Sequence, residues 1–289
     1  MMNQQKVAIL VDSGTDVPPE FVKAHNIFVA PLKIIYHDSE YEDRLDITPQ
    51  QIYDRLQQEI PKTSLPSSER VISLFEEIHQ QGYKTVLIIT ISSGLSGTYN
   101  LLRLLAQDYG KLTFHMVDTK NIGIGAGQQA ILAAEMLTQG KQVHEIVSAL
   151  QISIVESRTY FFLDTLEYLA KGGRIGKVSA ILGSLLKLRP LISCNADGIY
   201  ETVAKVRGNV QALSKAISMA ITEAGRHVRF AIAVAHGSAL EEANRVMEEL
   251  KRRLPQCERF TKTDVSPALS VHTGPGLIGI SVHALPANL

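Results

Sequence analysis

Thr90-Ile91-Ser92-Ser93-Gly94-Leu95-Ser96-Gly97-Thr98-Tyr99-Asn100 sets a cluster of hydroxyls between two apolar blocks. Before it stands Val86-Leu87-Ile88-Ile89, a continuous apolar run of the kind a fully buried strand carries. After it, Leu101, Leu102, Leu104 and Leu105 recur at the spacing of a helix face. The stretch reads as a strand-to-helix corner, the repeating joint of an α/β fold. Gly94 and Gly97 permit close backbone approach, so the helix start can offer free N–H groups and a positive dipole end to an anion. Two readings of the serines stand side by side here. Either Ser92, Ser93 and Ser96 only cap a helix, or Ser96 and its neighbours hold a carboxylate.

Outward from this corner the same alternation repeats. Val7 to Val11 reads as a strand, followed by the polar loop Asp12-Ser13-Gly14-Thr15-Asp16 and a helix to His25. Ile27 to Ile35 reads as a second strand. Thr48, with Pro49 at the first helical position, starts a helix to Glu59. Thr63-Ser64-Leu65-Pro66-Ser67-Ser68 is a second hydroxyl-rich loop, with Ser67 or Ser68 capping a helix to about Gln81. Leu112 to Val117 is a strand, Gly123-Ile124-Gly125-Ala126-Gly127 leads into a helix from Gln128 to Thr138, and another helix spans Val143 to Glu156. Such alternation predicts a mostly parallel sheet covered by helices on both faces.

Beyond Ser157 the pattern changes. Thr159 to Leu163 is the most aromatic strand, and Val178, Ile181, Leu182, Leu185 and Leu186 form an apolar stripe at helical spacing. Leu191 to Cys194 and Ile199 to Val206 read as antiparallel strands joined by the turn Asn195-Ala196-Asp197-Gly198. Helices over Val210–Glu223 and Ala239–Leu254 alternate with strands at Val228–Ala235, Arg259–Thr263 and Leu277–Ala284. The expected organisation is an N-terminal three-layer α/β/α domain, residues 1–157, and a C-terminal α/β domain with a mixed sheet, residues 158–289.

Among 289 residues, 45% hydrophobic content supplies a sizeable core, and 29 Lys+Arg against 29 Asp+Glu leave no basic excess for nucleic acid. The two cysteines, Cys194 and Cys257, are far apart and suit reduced thiols. The polar start Met1 to Lys6 gives no signal peptide, and no apolar run reaches the ~18 residues of a membrane span. The expected location is the cytoplasm, without stable membrane insertion.

Chemistry gathers at Thr63-Ser64, at the serine corner, at Gly172-Gly173-Arg174 and at His272 with Gly274-Pro275-Gly276. A nucleophile elbow requires Gly-x-Ser-x-Gly, whereas Gly94-x-Ser96-Gly97 lacks that spacing. Gly123-x-Gly125-x-Gly127 lacks the dinucleotide fingerprint. Neither a Walker A sequence nor metal-ligand spacing is present, so no metal or cofactor is expected. Asp12 and Asp16 could hold a cation, but capping and loop turns explain them with less assumption.

Taken together and in order, Asp12-Ser13-x-x-Asp16, Thr63-Ser64-x-Pro66-Ser67, Ser92-Ser93-Gly94-Leu95-Ser96-Gly97-Thr98, Lys171-Gly172-Gly173-Arg174-Ile175, Lys205-Val206-Arg207 and His272-Thr273-Gly274-Pro275-Gly276 resemble the signature of the DegV family of bacterial fatty-acid-binding proteins. The resemblance implies a two-domain α/β protein holding one long-chain fatty acid between its domains. It implies that Thr63 and Ser96 contact the carboxylate, that Arg174 and His272 support them, and that Ser64, Ser93 and Gly94 add nearby contacts. It further implies presentation of the acyl chain to a fatty acid kinase subunit that makes acyl phosphate for phospholipid synthesis, with Arg207 facing that partner. Phe161, Phe162, Ile181, Leu182 and Leu185 are candidates for the acyl tunnel, and ordinary core packing explains the same residues. Two other functional classes stay in view. One is a serine-dependent enzyme acting on a small acyl or phosphorylated substrate, with Ser96 as nucleophile and His272 as base. The other is a regulatory interaction module with a vestigial cavity.

Overall fold

Val7-Ala8-Ile9-Leu10-Val11 has no polar side chain to leave in water, and β1 (Val7–Asp12) is accordingly buried along its whole length. In the computed structural model the described residues are 5–184 and 188–287, with the backbone alone for 181–184. After β1 come a 3₁₀ turn (Ser13–Thr15), α1 (Pro19–His25), β2 (Phe28–Ala30), β3 (Lys33–Ile35), β4 (Glu40–Glu42), α2 (Pro49–Arg55) and β5 (Lys62–Ser64). α3 (Ser68–Gln80), β6 (Thr85–Thr90), α4 (Thr98–Asp108), β7 (Thr113–Asp118), α5 (Ile124–Thr138) and α6 (Val143–Glu156) follow. The remainder is β8 (Arg158–Phe162), α7 (Glu167–Lys171), a 3₁₀ segment (Gly176–Ser184), β9 (Leu188–Cys194), β10 (Tyr200–Arg207), α8 (Gly208–Ala224), β11 (Phe230–His236), α9 (Leu240–Arg253), β12 (Arg259–Asp264), α10 (Pro267–Thr273) and β13 (Ile278–Ala284).

Three sheets result. A parallel sheet has the order β2-β1-β6-β7, and a six-stranded mixed sheet the order β10-β9-β8-β13-β11-β12. In the second, only the β11–β12 pair is parallel. A small antiparallel sheet, β4-β3-β5, stands apart. The fold class expected from the sequence, a parallel α/β sheet followed by a mixed α/β sheet, is therefore present.

α5 joins the two large sheets. It packs on β1 and β6 and also on β11 and β13, and every residue from Ile124 to Leu137 except Glu135 is buried. A helix buried on nearly all sides, its Gln128 and Gln129 hydrogen-bonded to Ser281 and Ser153, has only such a position open to it. Its start corrects the sequence reading, which placed Gly123 to Gly127 in a loop. Gly125 and Gly127 are inside the helix because a Cβ at 125 would stand 2.2 Å from Thr159 Oγ1 and one at 127 would stand 2.3 Å from the Thr15 carbonyl. Close approach to a neighbouring side chain at 125 and to neighbouring backbone at 127 outweighs the low helix propensity of glycine.

Other expectations also shift. The single strand expected over Ile27–Ile35 is two, because Pro31 interrupts it: β2 pairs with β1 and β3 with β4 and β5. Thr63-Ser64, read as loop, belongs to β5, with Thr63 opposite Ile34. The apolar stripe from Val178 is 3₁₀ rather than α through Ser184, with Val178 buried. His272 sits in the last turn of α10, which opens on Ser266 as N-cap and Pro267.

Candidate functional site

Parallel strands end with their carbonyl edges beside one another, and loops leaving them in opposite directions open a crevice where the strand order reverses. Here that point lies between β1 and β6. Asp12, the last residue of β1, accepts hydrogen bonds from Gly14 N and from Ile91 N, both 2.9 Å, and so ties the two strand exits together. Burial pushes its carboxyl up to about 7, against the pull of those two N–H donors. Asp16, in the left-handed region at φ 52°, pairs through Oδ1 with Arg44 at 2.8 Å. Capping of backbone N–H groups thus accounts for Asp12, as the sequence suggested, whereas Asp16 Oδ1 is held by an ion pair that the sequence did not indicate.

A cavity of about 230 Å³ opens at this crevice. Its wall draws on the exits of β1, β6 and β7 (Asp16, Ile91, Ile122), on β5 (Thr63, Ser64), on β8, β10, β11 and β13 (Thr159, Phe161, Tyr200, Ala235, Gly279) and on α10 (Leu269, His272). Leu32, Leu65, Leu95, Ile124, Val265 and Leu277 make much of the rest apolar. The volume exceeds the roughly 150 Å³ of an apolar cavity that accommodates benzene.

Of the residues singled out in the sequence, Thr63, Ser64, Ser96, Arg174, His272 and Phe161 all border this cavity. Thr63 and His272 meet because α10 packs with α2 and the small sheet over Leu32, Ile34, Ile52 and Val271. Thr63 Oγ1 lies 2.7 Å from His272 Nε2. Burial, aided by the nearby Arg174 charge, pulls the His272 ring down to about 4, so the imidazole is neutral at physiological pH. Its Nδ1 has no hydrogen-bond partner, and a Cβ at Gly172 would come within 2.2 Å of it. Arg174 is exposed and donates through Nη1 to the Gly172 carbonyl at 2.8 Å.

The opening serines divide their work. Ser92 Oγ accepts from Gly94 N at 3.0 Å, a local turn. Ser96 Oγ is 2.8 Å from Thr98 Oγ1 and accepts from Thr98 N at 3.2 Å, at the start of α4. With Ser96 paired to Thr98 and His272 to Thr63, the nucleophile–base contact of the enzymatic reading is not formed among the described residues.

Several candidates are elsewhere. Ser93 is held by its N–H on Asp118 Oδ1 and by Lys120 Nζ, at 3.1 and 3.2 Å, and does not border the cavity. Gly94 is a glycine for packing: a Cβ there would stand 2.8 Å from the Asp197 carbonyl in the β9–β10 turn. Phe162 faces the opposite side of the mixed sheet, among Ala212, Ala216 and Val246 from α8 and α9, since neighbouring strand residues point opposite ways. Arg207 is exposed at the end of β10, away from the wall. Ile181 and Leu182 have side chains outside the described residues, and Leu185 lies outside them altogether. Sequence reasoning missed Tyr200, Thr159 and Leu269, and weighed Asp16 as a cation ligand or a loop residue but not as part of the cavity wall. The Ser266-Pro267 helix start was a usable signal for Leu269, whereas nothing local marks the others. Among the described residues, His37, Asp38 and Glu59 are gathered closely enough to share a metal ion, but His37 Nδ1 pairs with Glu59 at 2.6 Å, and none of the three borders the cavity. No helix of the described residues is long and apolar enough to cross a membrane.

The sequence pattern of the DegV family, whose members are described as uncharacterised proteins, matches residues 6–285. The chain belongs to the DegV family. A DegV domain-containing protein of Clostridium acetobutylicum is 39% identical over 279 residues, 96% of this chain and 99% of that one. Among solved DegV structures, one from Thermus thermophilus, described by its fatty acid binding, superimposes with a TM-score of 0.91 at 26% identity, covering 96% of this chain and 99% of its own. A stearic acid-binding protein from Eubacterium ventriosum has a TM-score of 0.87 at 28% identity, with 96% and 98% coverage.

Proposed function

We propose that this DegV protein is a cytoplasmic carrier that binds one long-chain fatty acid in the cavity and presents it to a separate kinase subunit, which converts the carboxylate to an acyl phosphate for phospholipid synthesis. One observation carries the reading: two hydroxyls, a guanidinium and a neutral imidazole from four separate segments border the same largely apolar space. The fatty acids named for the Thermus and Eubacterium proteins support it.

The proposed head-group site works by hydroxyls and one cation. A neutral His272 that donates from Nε2 to Thr63 Oγ1 leaves the Thr63 proton free to donate to a carboxylate. Thr98 Oγ1 donating to Ser96 Oγ frees the Ser96 proton in the same way. Arg174 supplies the charge without a strongly basic cleft. The acyl chain supplies most of the affinity, since about 15 buried methylenes at about 0.8 kcal/mol each give roughly 12 kcal/mol, part of which offsets the cost of association. Arg207, exposed on β10, is assigned to the kinase-facing surface.

Native mass spectrometry of the purified protein, before and after mild denaturation, tests the binding. A mass difference matching a C14 to C18 acid is expected; a clean unliganded mass after exposure to fatty acids refutes the reading. A second arm adds a fatty acid kinase subunit and ATP. Acyl phosphate forming equally well with and without this protein rules out the carrier role.

A further inference from the structure

The two carboxylate oxygens of Asp16 have different surroundings. Oδ1 takes both structural contacts, accepting from Arg44 Nη2 and from Ser266 N, each at 2.8 Å. Oδ2 has no hydrogen-bond partner, although the side chain is 0% exposed. Asp16 is nevertheless a wall residue of the cavity. Gly123, also on the wall, lies in the left-handed region at φ 55°, and a Cβ there would stand 3.0 Å from Oδ2 and 3.5 Å from Leu269 Cδ1. A side chain at 123 would crowd that oxygen. Burial, partly countered by Arg44, holds the Asp16 carboxyl up at about 6, so above neutral pH it is ionised and can only accept.

An unpaired buried carboxylate oxygen is expensive to leave without a donor. A saturated hydrocarbon chain lying in the cavity keeps water away and offers nothing in return. A chain that carries a hydroxyl brings the donor with it. We infer that Asp16 recognises a hydroxyl borne on the chain of the bound acid, so that the preferred ligand class is long-chain hydroxy acids. This inference rests on the fatty-acid reading above and names the subclass that the same site takes.

The test is equimolar competition at pH 7.5 between stearic acid and a set of its positional isomers, 3-, 10- and 12-hydroxystearic acid, read by native mass spectrometry. At least one isomer is expected to outcompete stearic acid by about tenfold, the weight of one hydrogen bond to a charged group. In Asp16→Asn the preference is expected to fall to about twofold or less. Stearic acid binding at least as well as every isomer in the wild-type protein overturns the inference, whatever Asp16→Asn does, and leaves the fatty-acid reading standing. No binding of any acid overturns both.

Discussion

Thr63→Val replaces a hydroxyl by a methyl group of nearly the same size, and its cost can be worked from two contacts. In the proposed complex the Thr63 hydroxyl donates to the ligand carboxylate, and a hydrogen bond to a charged group is worth about 1.5–3 kcal/mol. At about 1.4 kcal/mol per tenfold, stearic acid should bind roughly 10- to 150-fold more weakly. The apolar contribution of the chain is untouched, so binding weakens without disappearing. In the free protein the same substitution removes the 2.7 Å partner of His272 Nε2, on a ring whose Nδ1 already has none. That loss is expected near the low end of about 1–3 kcal/mol, because the ring borders a cavity that water can enter. Isothermal titration with stearic acid and with methyl stearate separates the two effects. The ester carries no carboxylate, so its affinity should change much less, and Thr63→Ser should bind the acid nearly as wild type. Stearic acid binding to Thr63→Val within about twofold of wild type would falsify the placement of its carboxylate at Thr63.

Two further outcomes are independent of any ligand. Gly125→Ala gains about 0.5–1 kcal/mol of helix propensity but forces a Cβ to 2.2 Å from Thr159 Oγ1; overpacking costs about 1–3 kcal/mol or more, so urea unfolding should show net destabilisation, and a gain in stability would show that α5 is not this close to β8. In an NMR pH titration the rings of His272 and His283, held down to about 4 and about 3 chiefly by burial, should stay neutral at pH 5, and a midpoint above 6 for either contradicts its burial. Their contribution to stability is complete above the unfolded value of about 6.5 and is lost as pH falls towards the folded values. Asp12 and Asp16, held up at about 7 and about 6, oppose this. Their folded forms take up protons first, so their contribution grows as pH falls from about 7 to about 4. The two trends overlap, which is why ring titration and not the unfolding midpoint is the deciding measurement.

Local chemistry was legible in the sequence wherever a few adjacent residues settle it. Thr48 with Gln51 forms a capping box, Ser67 accepts from Arg70 N, and Asn195 to Gly198 closes the β9–β10 turn. The alternation of apolar runs and helix stripes yielded both sheets. What the periodicity could not say is which side of a strand meets which layer. Phe161 and Phe162 are equal candidates by composition, and the pleat sends one to the cavity and the other beneath α8. Pro31 was a visible signal that the Ile27–Ile35 run is not one strand. The glycines of α5 gave the opposite signal to the truth, because their reason lies in Thr15 and Thr159, residues distant in sequence.

The site itself was legible as parts and not as an arrangement. Thr63 and His272 are 209 residues apart and are brought to 2.7 Å by packing between a short strand and a short helix that no periodicity announces. Asp16 shows the limit more sharply. From sequence it is a turn residue after a strand, and by capping logic its oxygens are equivalent. In the fold, Arg44 and Ser266, 28 and 250 positions away, both settle on Oδ1, and Oδ2, beside Gly123, is left buried without a partner. The function of a residue in such a wall follows from which of its atoms the fold has already used, and that is decided by long-range contacts that the order of residues does not encode locally.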